Sequence, residues 1–419
     1  MTTVDLAKVP EYAQRFRTFM DQFKSMYVDR DRLIDFITLA LLTREHLLMF
    51  GSPGTAKTQI IDSVLDGIRG ARNFRTEVSG YTAEDGVLGP YNVKRLREEG
   101  VLEHNTSGML PEAQFARVGE FLDANAVTLR ALLGIMNERR LLRGSQTIES
   151  PLMTAYLDTN KDPALYLKKN PDAWAVIDRV LLIEKVGYLN TPANVQEMVT
   201  RFQRGASRRP RIFIDVEVIQ ALSSLIVNPP GLITDTSIIE TYATIVTEYR
   251  EKRQQLSDDL KKEFILPEIS DRRVNKASMV MEANAVLNGR LFVTADDIPQ
   301  AGLVLCTSKP ERDVWDAIVK PHVEEHKKRS AAQVSNAQGL ALKAIGDRVE
   351  SEILRADPHA TSAMLAQTLK VLSEQFASIT PTTDEVHHIH EGVQQKLKAA
   401  LTEVKARTMK ETGLDTLSF

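Results

Sequence analysis

The sequence predicts an α/β fold in which helices pack on both faces of a parallel sheet, followed by a region that is mostly helical. The apolar run 46–50 has the length and composition of a buried strand. A glycine-containing loop follows this run, and the apolar residues of 60–68 then recur at helical spacing. The alternation of strands and helices that starts here stops near Asn190. We therefore expect a sheet-containing domain first and helical domains after it.

The loop between the first predicted strand and its helix has the composition of a phosphate-binding site. It comprises Gly51, Ser52, Pro53, Gly54, Thr55, Ala56, Lys57 and Thr58. The two glycines allow consecutive backbone N–H groups to turn toward phosphate oxygens at the positive end of the new helix. Lys57 would reach the β- and γ-phosphates, and the Thr58 hydroxyl would bind Mg²⁺. The loop therefore predicts binding of a nucleotide triphosphate such as ATP, with a chance glycine-rich turn as the alternative.

One residue departs from the usual spacing of such loops, G-x-x-x-x-G-K-[ST]. Ala56 stands where the second glycine normally lies. A methyl group is tolerable there only if the backbone keeps a negative φ and leaves room for the phosphate. Phosphate binding therefore requires a negative φ at Ala56.

Composition and charge exclude several classes of protein. The chain has 419 residues, enough for two or three domains, and its net charge of −3 gives no overall attraction for nucleic acid or an anionic membrane. Cys306 is the only cysteine, which excludes disulfides within the chain and cysteine-rich metal sites. No window is apolar for long enough to span a bilayer, and the N-terminus lacks the apolar core of a signal peptide. We expect a cytoplasmic protein without membrane association.

Two local patterns suggest other ligands, and each has a simpler interpretation. Five arginines lie close together, at Arg201, Arg204, Arg208, Arg209 and Arg211. Aromatic residues do not alternate with them well enough to stack on bases, so a linker is favoured over a nucleic-acid patch. His387, His388 and His390 lack carboxylate or cysteine partners at ligand spacing, so a solvated helix start is favoured over a metal site.

The residues around the loop place further parts of the fold. Two helices are predicted ahead of the first strand, and Tyr27, Val28 and Arg30 near their junction are candidates to lie over the adenine. Residues 73–78 are a predicted second strand. Residues 94–106 form a polar insertion, which we expect at the surface and outside the sheet.

Several sequence blocks occur in the order found in one family of ATPases. They are GSPGTAKT at 51–58, VLGP at 87–90, SGMLPEA at 107–113, ANAVTLRALLGIMNERR at 124–140, LDTN at 157–160, IDRVLL at 177–182 and ISDRR at 269–273. With these blocks, over about residues 11–305, the chain resembles the MoxR-type AAA+ ATPases, and most closely the RavA-like members. The resemblance implies a P-loop NTPase. The expected domains are an AAA+ αβα nucleotide-binding core at 1–190, a helical lid at 191–308 and a helical C-terminal extension at 309–419.

Laying the family pattern on the chain without gaps puts the Walker B strand at 115–120. Glu120 then matches the family residue that polarises the attacking water, but Gly119 stands where the family has the aspartate that holds Mg²⁺ through its waters. Arg117, inside a strand that should be buried, is a second departure. Ending the strand at Asp123 instead opens a four-residue gap and puts alanine in place of the glutamate. Either register lacks one carboxylate, which puts fast hydrolysis in question.

The resemblance assigns three more residues to the site. Asn160 matches the sensor-1 position, where an amide binds the γ-phosphate and the attacking water; a turn cap is the alternative. Arg179, in the family's Asp-Arg pair, matches the arginine finger that acts on a neighbouring subunit's ATP; a surface ion pair is the alternative. Arg272 matches sensor 2, with Arg273 as the second choice.

These assignments predict an ATP-driven, chaperone-like ATPase that assembles as a homo-oligomer, either a hexameric ring or an open spiral. The resemblance implies a protein client, commonly one with a von Willebrand factor A domain, contacted by the insertion at 88–106. Gly119 favours an alternative, a nucleotide-gated scaffold with weak or no hydrolysis. A DNA-dependent motor is a third and weaker hypothesis, because the charge balance makes nucleic acid an unlikely partner.

Overall fold

A computed structural model describes residues 6–144, 146–205, 209–227, 232, 234–356 and 360–412 of the chain. Arg208 of the arginine cluster lies outside these residues. The chain divides into two compact units, Met1–Val323 and Glu324–Phe419. The three-domain division expected from the sequence stays a prediction.

The first unit is built on a five-stranded parallel sheet. Its strands are β1 (Leu47–Phe50), β3 (Asn73–Glu77), β4 (Phe115–Gly119), β7 (Thr154–Thr159) and β8 (Leu182–Lys185), in the order β3-β4-β7-β1-β8. Every neighbouring pair is parallel. All residues of β1 and β7 are buried, as expected for parallel strands covered on both faces. The predicted α/β fold with a parallel sheet is confirmed.

Two smaller sheets accompany the central one. Strands β2 (Ile68–Arg69) and β9 (Ile214–Asp215) pair in parallel, and β5 (Arg140–Arg143) and β6 (Gln146–Glu149) form an antiparallel pair. The short β2–β9 pair joins the end of the helix after the phosphate loop to the start of the helical region.

The described residues also form a series of helices. They are α1 (Val9–Met26), α2 (Asp31–Thr43), α3 (Lys57–Asp66), α4 (Asp85–Leu88), α5 (Val93–Glu99), α6 (Ala126–Glu138), α7 (Pro163–Lys169), α8 (Trp174–Asp178), α9 (Pro192–Gln203), α10 (Val216–Val227), α11 (Thr236–Gln254), α12 (Asp258–Lys261), α13 (Asp271–Leu287), α14 (Gly302–Leu305), α15 (Lys309–Val349), α16 (Ser362–Ala377) and α17 (Asp384–Thr412). A π-helical turn, Glu350–Leu354, follows α15. None of the described helices combines the length and apolarity needed to cross a membrane.

Helix α2 is the centre of packing in the first unit. Nearly all its residues from Leu33 to Thr43 are buried, so it is apolar on every side rather than on one stripe. It packs against β1 and β8 of the sheet and against α10 and α13 of the helical region. Because α2 leads directly into β1, this packing fixes the strand from which the phosphate loop starts.

The polar insertion and the C-terminal region agree with their predicted character. Helix α5 lies in the insertion, contributes no buried residue, and begins at Asn92, whose side chain accepts from the Arg95 backbone N–H. The second unit is helical and has its own core, which includes Leu342, Val349 and Leu372.

Candidate nucleotide-binding site

The phosphate loop leaves the carboxyl end of β1 through a residue that must be glycine. Gly51 has φ 142°, and a Cβ there would lie 2.2 Å from the Val186 carbonyl oxygen. Gly54 has φ 79°. Both glycines therefore do what the sequence pattern requires of them, which is to turn the backbone where other residues are excluded or strained.

Ala56 corrects one expectation. Its φ is 67°, in the left-handed region, so the condition of a negative φ is wrong. The Ala56 backbone takes the conformation that a glycine would take in this loop, and the methyl group is accommodated at a cost of about 1–2 kcal/mol. Strained residues of this kind cluster at functional sites, where the surrounding structure holds them.

Lys57 and Thr58 form the first turn of α3. The Lys57 side chain is buried, and its Nζ donates to the carbonyl oxygens of Gly51 (2.7 Å) and Ser52 (3.1 Å). Burial lowers the pKa of Lys57, while the charges of Asp158 and Glu120 raise it. The amine is thus held across the loop, where it can exchange carbonyl partners for phosphate oxygens.

Glu120 and Asn160 meet beside Lys57. Asn160 Nδ2 donates to Glu120 Oε1 (2.6 Å), and Asn160 Oδ1 accepts from Lys57 Nζ (3.3 Å). Three residues predicted from separate motifs therefore form one connected chain at the carboxyl ends of β1, β4 and β7. Glu120 has φ 53°, the second left-handed residue of the site. Strand β4 ends at Gly119 and Phe121–Asp123 is a 3₁₀ turn, which are the bounds that the gapless register expects; the Walker B assignment stays a prediction.

Asp158, which sequence reasoning did not assign, is the most unusual charge at this edge. It is buried in β7, and its Oδ2 has no hydrogen-bond partner among the described residues. Burial raises its pKa to about 6, and the charge of Glu77 adds to this rise, while Arg117 and Lys57 oppose it. The only sequence signal is that this aspartate directly follows the apolar run 152–157, where a buried carboxylate requires a partner.

Arg117 is explained by its partners. Its Nη1 donates to Glu77 Oε1 (2.6 Å), and its Nε lies 3.2 Å from Asp62 Oδ1 of α3. Asp158 Oδ2 lies 4.0 Å from the same Nη1. A charged residue can therefore occupy a buried strand here because three carboxylates surround it.

A cavity of about 760 Å³ adjoins the loop. Its walls include Tyr27, Val28 and Arg30 together with Gly54, Thr55, Ala56, Tyr188, Val195, Met198 and Phe202. The residues predicted to lie over the adenine thus share a cavity with the phosphate loop, and their contact with a base stays a prediction. Arg30 donates to Thr55 O (3.3 Å) and Gly187 O (2.9 Å), and Tyr188 Oη donates to Pro53 O (3.1 Å).

The two arginines expected to act in trans or from the lid are not joined to this network. Arg179 is half-buried at the end of α8, and Arg272 is exposed in the first turn of α13. No hydrogen bond or ion pair found among the described residues connects either guanidinium to the loop.

Arg273, the second choice for sensor 2, is bound by backbone carbonyl oxygens. It is buried, and it donates to the carbonyl oxygens of Val180 (3.0 Å), Leu181 (2.5 Å) and Val304 (3.1 Å). Its guanidinium therefore joins the start of β8 to α14. Its neighbour Ser270 donates to Asp178 Oδ1 (2.9 Å), so the aspartate of the Asp-Arg pair is also bound to the helical region.

The oxygen ligands at the loop suit Mg²⁺ bound with a triphosphate. The Thr58 hydroxyl and the nearby carboxylates are hard donors, and Mg²⁺ in such sites is held by one or two protein oxygens together with phosphates and water. No group of three or more His, Cys, Asp or Glu side chains forms a closed metal cage among the described residues. The residues present fit a nucleotide-bound Mg²⁺ rather than a permanent protein-bound metal.

The fold and the site together define an AAA+ ATPase of the P-loop class, with a parallel sheet, a phosphate loop after β1 and a helical lid domain. Residues 14–244 match the MoxR domain of the MoxR-vWA-beta-propeller ternary systems, and residues 238–314 match an AAA lid domain. Because the first match spans more than half of the chain, the protein belongs to this MoxR family. The predicted MoxR-type AAA+ identity is confirmed, and the closer resemblance to RavA-like members stays a prediction.

Individual proteins agree with this assignment. An uncharacterized protein of Methanocaldococcus jannaschii is 26% identical over 278 residues, 66% of this chain and 68% of its own length. The chaperone MoxR1 of Mycobacterium tuberculosis is 27% identical over 180 residues, 43% of this chain and 46% of its own. The crystal structure of a candidate ATPase from Cytophaga hutchinsonii matches with a TM-score of 0.57 at 17% identity, covering 75% of this chain and 96% of that one. The last similarity concerns the fold alone.

Proposed function

We propose that this protein binds and hydrolyses ATP and uses the energy to remodel a protein partner. The observation that carries the proposal is the connected chain Lys57–Asn160–Glu120 at the carboxyl edge of three adjacent parallel strands, beside the phosphate loop. Ligands of parallel α/β sheets bind at this edge.

Each residue has a role that follows from its position. The loop N–H groups and Lys57 bind the phosphates, and Asn160 holds Glu120 against the place where the attacking water must lie. Glu120 orients that water, and Thr58 offers its hydroxyl to the metal. Mg²⁺, when bound with ATP, supplies charge neutralisation between the β- and γ-phosphates.

Assembly and partner choice extend the same proposal. Arg179 is half-buried, and no hydrogen bond or ion pair found within the described part of the chain joins it to its own site, which fits a finger for the ATP of an adjacent subunit in a hexameric ring or spiral. The family's name supports a von Willebrand factor A domain partner. Exposed Val93, Leu96 and Leu102 of the insertion offer an apolar contact surface for such a client. We also place sensor 2 at Arg272 and the protein in the cytoplasm.

Steady-state phosphate release tests the enzymatic part. Lys57→Ala should lower the rate about a hundredfold or more, since it removes the cation that stabilises the transferred phosphoryl group. Glu120→Gln should keep ATP affinity within a few fold and still lower the rate by about 10²–10⁴. Lys185→Ala, which removes an exposed lysine at the end of β8, is the matched control and should leave the rate unchanged. Equal rates for the wild type and Lys57→Ala would exclude hydrolysis at this site.

Gly119 favours a second candidate function, a scaffold that assembles on ATP and scarcely turns it over. The two candidates give different results for the wild type. A scaffold binds ATP and changes its sedimentation with it, but releases phosphate no faster than Lys57→Ala. A remodelling ATPase binds ATP in the same way and also releases phosphate faster than Lys57→Ala.

A further inference from the structure

Gly119 stands where the family places the carboxylate that faces the metal, and in this chain another side chain occupies the space. A Cβ added to Gly119 would lie 1.8 Å from Oε2 of Glu77 and 2.6 Å from Oε1. Glu77 is the last residue of β3 and is directly opposite Gly119 in the register of β3 and β4. The glutamate carboxylate thus lies where an aspartate side chain at position 119 would begin.

We infer that Glu77 supplies, from the neighbouring strand, the carboxylate that Gly119 lacks, and directs it toward Mg²⁺ bound with ATP. The inference rests on the proposed function, because it concerns the same nucleotide. It explains two departures of the sequence together: glycine leaves the room that the Glu77 carboxylate needs, and Arg117 holds that carboxylate in place.

The contacts of Arg117 fix the orientation of Glu77. Arg117 Nη1 binds Glu77 Oε1 at 2.6 Å, and its Nε lies 3.2 Å from Asp62 Oδ1 on α3, an ion pair without a hydrogen bond. With one oxygen held by the arginine, Oε2 is the oxygen nearest to Gly119. The Glu77 side chain is 59% exposed, so its free oxygen is open to a ligand and to water.

An independent observation indicates that this edge lacks a positive charge. Asp158 Oδ2 is buried and has no hydrogen-bond partner among the described residues, and its side chain is only 8% exposed. The groups that act on its charge are Glu77 and Glu120, which repel it, and Arg117 and Lys57, which attract it. Asp62 adds a further carboxylate at Arg117. Asp62 is shared with Arg75, whose Nε lies 3.2 Å from it. The three carboxylates of Glu77, Glu120 and Asp158 therefore depend on Arg117 and Lys57, and a divalent cation would supply the missing positive charge.

The overlap of Glu77 with position 119 allows an exchange experiment. Glu77→Gln keeps the size of the side chain and an oxygen for Arg117 but removes the charge. Glu77→Ala empties the space, and Glu77→Ala with Gly119→Asp returns a carboxylate to it from β4. Asp66→Asn, which removes an exposed carboxylate of α3 that pairs with Arg75, is the matched control.

The measurement is the affinity for ATP by calorimetry, once with Mg²⁺ and once with EDTA. In the wild type, Mg²⁺ should strengthen binding, and both Glu77 variants should lose about tenfold or more of that strengthening while their affinity in EDTA stays the same. Glu77→Ala combined with Gly119→Asp should regain the strengthening of ATP binding by Mg²⁺, and Asp66→Asn should keep it. Mn²⁺ in place of Mg²⁺, followed by electron paramagnetic resonance, gives a second readout that does not depend on turnover.

Other results overturn the inference in distinguishable ways. If both Glu77 variants keep the full effect of Mg²⁺, or lose affinity equally in EDTA, Glu77 has only a structural role. If Asp158→Asn removes the Mg²⁺ effect and Glu77→Gln does not, the carboxylate comes from β7 instead. A wild type that binds no ATP under either condition refutes the proposed function, and the inference with it.

Discussion

Glu311, near the start of α15, and Asp158, at the end of β7, are both carboxylates that lie almost wholly out of water. Glu311 Oε1 accepts from Arg253 Nε (2.7 Å), and its Oε2 accepts from the Thr307 N–H (2.8 Å) and the Ser308 hydroxyl (3.0 Å). Asp158 Oδ2, in contrast, has no hydrogen-bond partner among the described residues.

Asp297 of the helical region is partnered in the same way as Glu311. In the helical region Asp297 accepts from Arg290, Asn284 and Thr294, and its pKa is lowered because these bonds outweigh burial. At the phosphate loop Ala56 and Glu120 have left-handed backbones. Where the chain supplies every partner, a buried charge is satisfied within the fold; where it leaves partners out, the charge is available to a ligand.

The largest expected effect on stability comes from breaking the ion pair between Arg253 and Glu311. Glu311→Ala leaves Arg253 buried without its counter-charge and should lower the free energy of unfolding by about 3–5 kcal/mol. ATP affinity should not change, because the pair lies outside the loop network. Chemical denaturation and calorimetry measure the two quantities, and a loss below about 1 kcal/mol would contradict the comparison.

At the nucleotide-binding site, removing a buried carboxylate should raise the free energy of unfolding and not lower it. Asp158→Asn should raise the free energy of unfolding without nucleotide by up to about 3 kcal/mol at neutral pH, because it removes a buried charge whose Oδ2 accepts no hydrogen bond from the described residues. The pKa of Asp158 is raised from 3.8 to about 6, so the native state binds the extra proton between these values. The gain should therefore be complete above pH 6 and absent below about pH 4. If Asp158→Asn is less stable than the wild type at neutral pH, the Asp158 charge is compensated in the native state and the prediction is wrong.

A smaller gain should follow from relieving the strained loop. Ala56→Gly gives the left-handed position a residue that adopts it without cost, and should stabilise the protein by about 1 kcal/mol after the higher chain entropy of glycine is included. Thermal unfolding without nucleotide measures the gain. Gly54→Ala, at the neighbouring positive φ of 79°, is the reverse control and should destabilise by a similar amount.

The smallest expected effect concerns Glu282, a glutamate of the helical region whose pKa is raised and not lowered. Burial raises the pKa of Glu282 on α13 from 4.5 to about 7, although the residue keeps part of its exposure. Glu282→Gln should stabilise by under about 1 kcal/mol once solvent screening is allowed for. The gain should be present above pH 7 and lost below about pH 4.5, since the native state holds the extra proton only between these values. Unfolding at pH 4 and pH 8 tests it.

The sequence was informative where the chemistry is local. The strand, the glycines and Lys57 follow one another along the chain, so the loop and its place at the sheet edge could be predicted. The resemblance to the MoxR-type family added Glu120 and Asn160 to the predicted site. Glu77 and Asp158 escaped prediction because they meet Arg117, 40 and 41 residues away along the chain, only through strand pairing. The φ of Ala56 escaped because a one-letter pattern does not record which residue bears the turn.

The bonds of Arg30 and Tyr188 have a mechanical consequence. Arg30 joins Thr55 of the loop to Gly187, and Tyr188 binds the Pro53 carbonyl, so two residues in the middle of the loop are fastened to the segment that runs from β8 into α9. A loop that reshapes itself around phosphates must stretch these bonds or pull that segment along. Two separate links, each of a single hydrogen-bonded side chain, thus connect the loop to the segment that leads to the helices beyond residue 190.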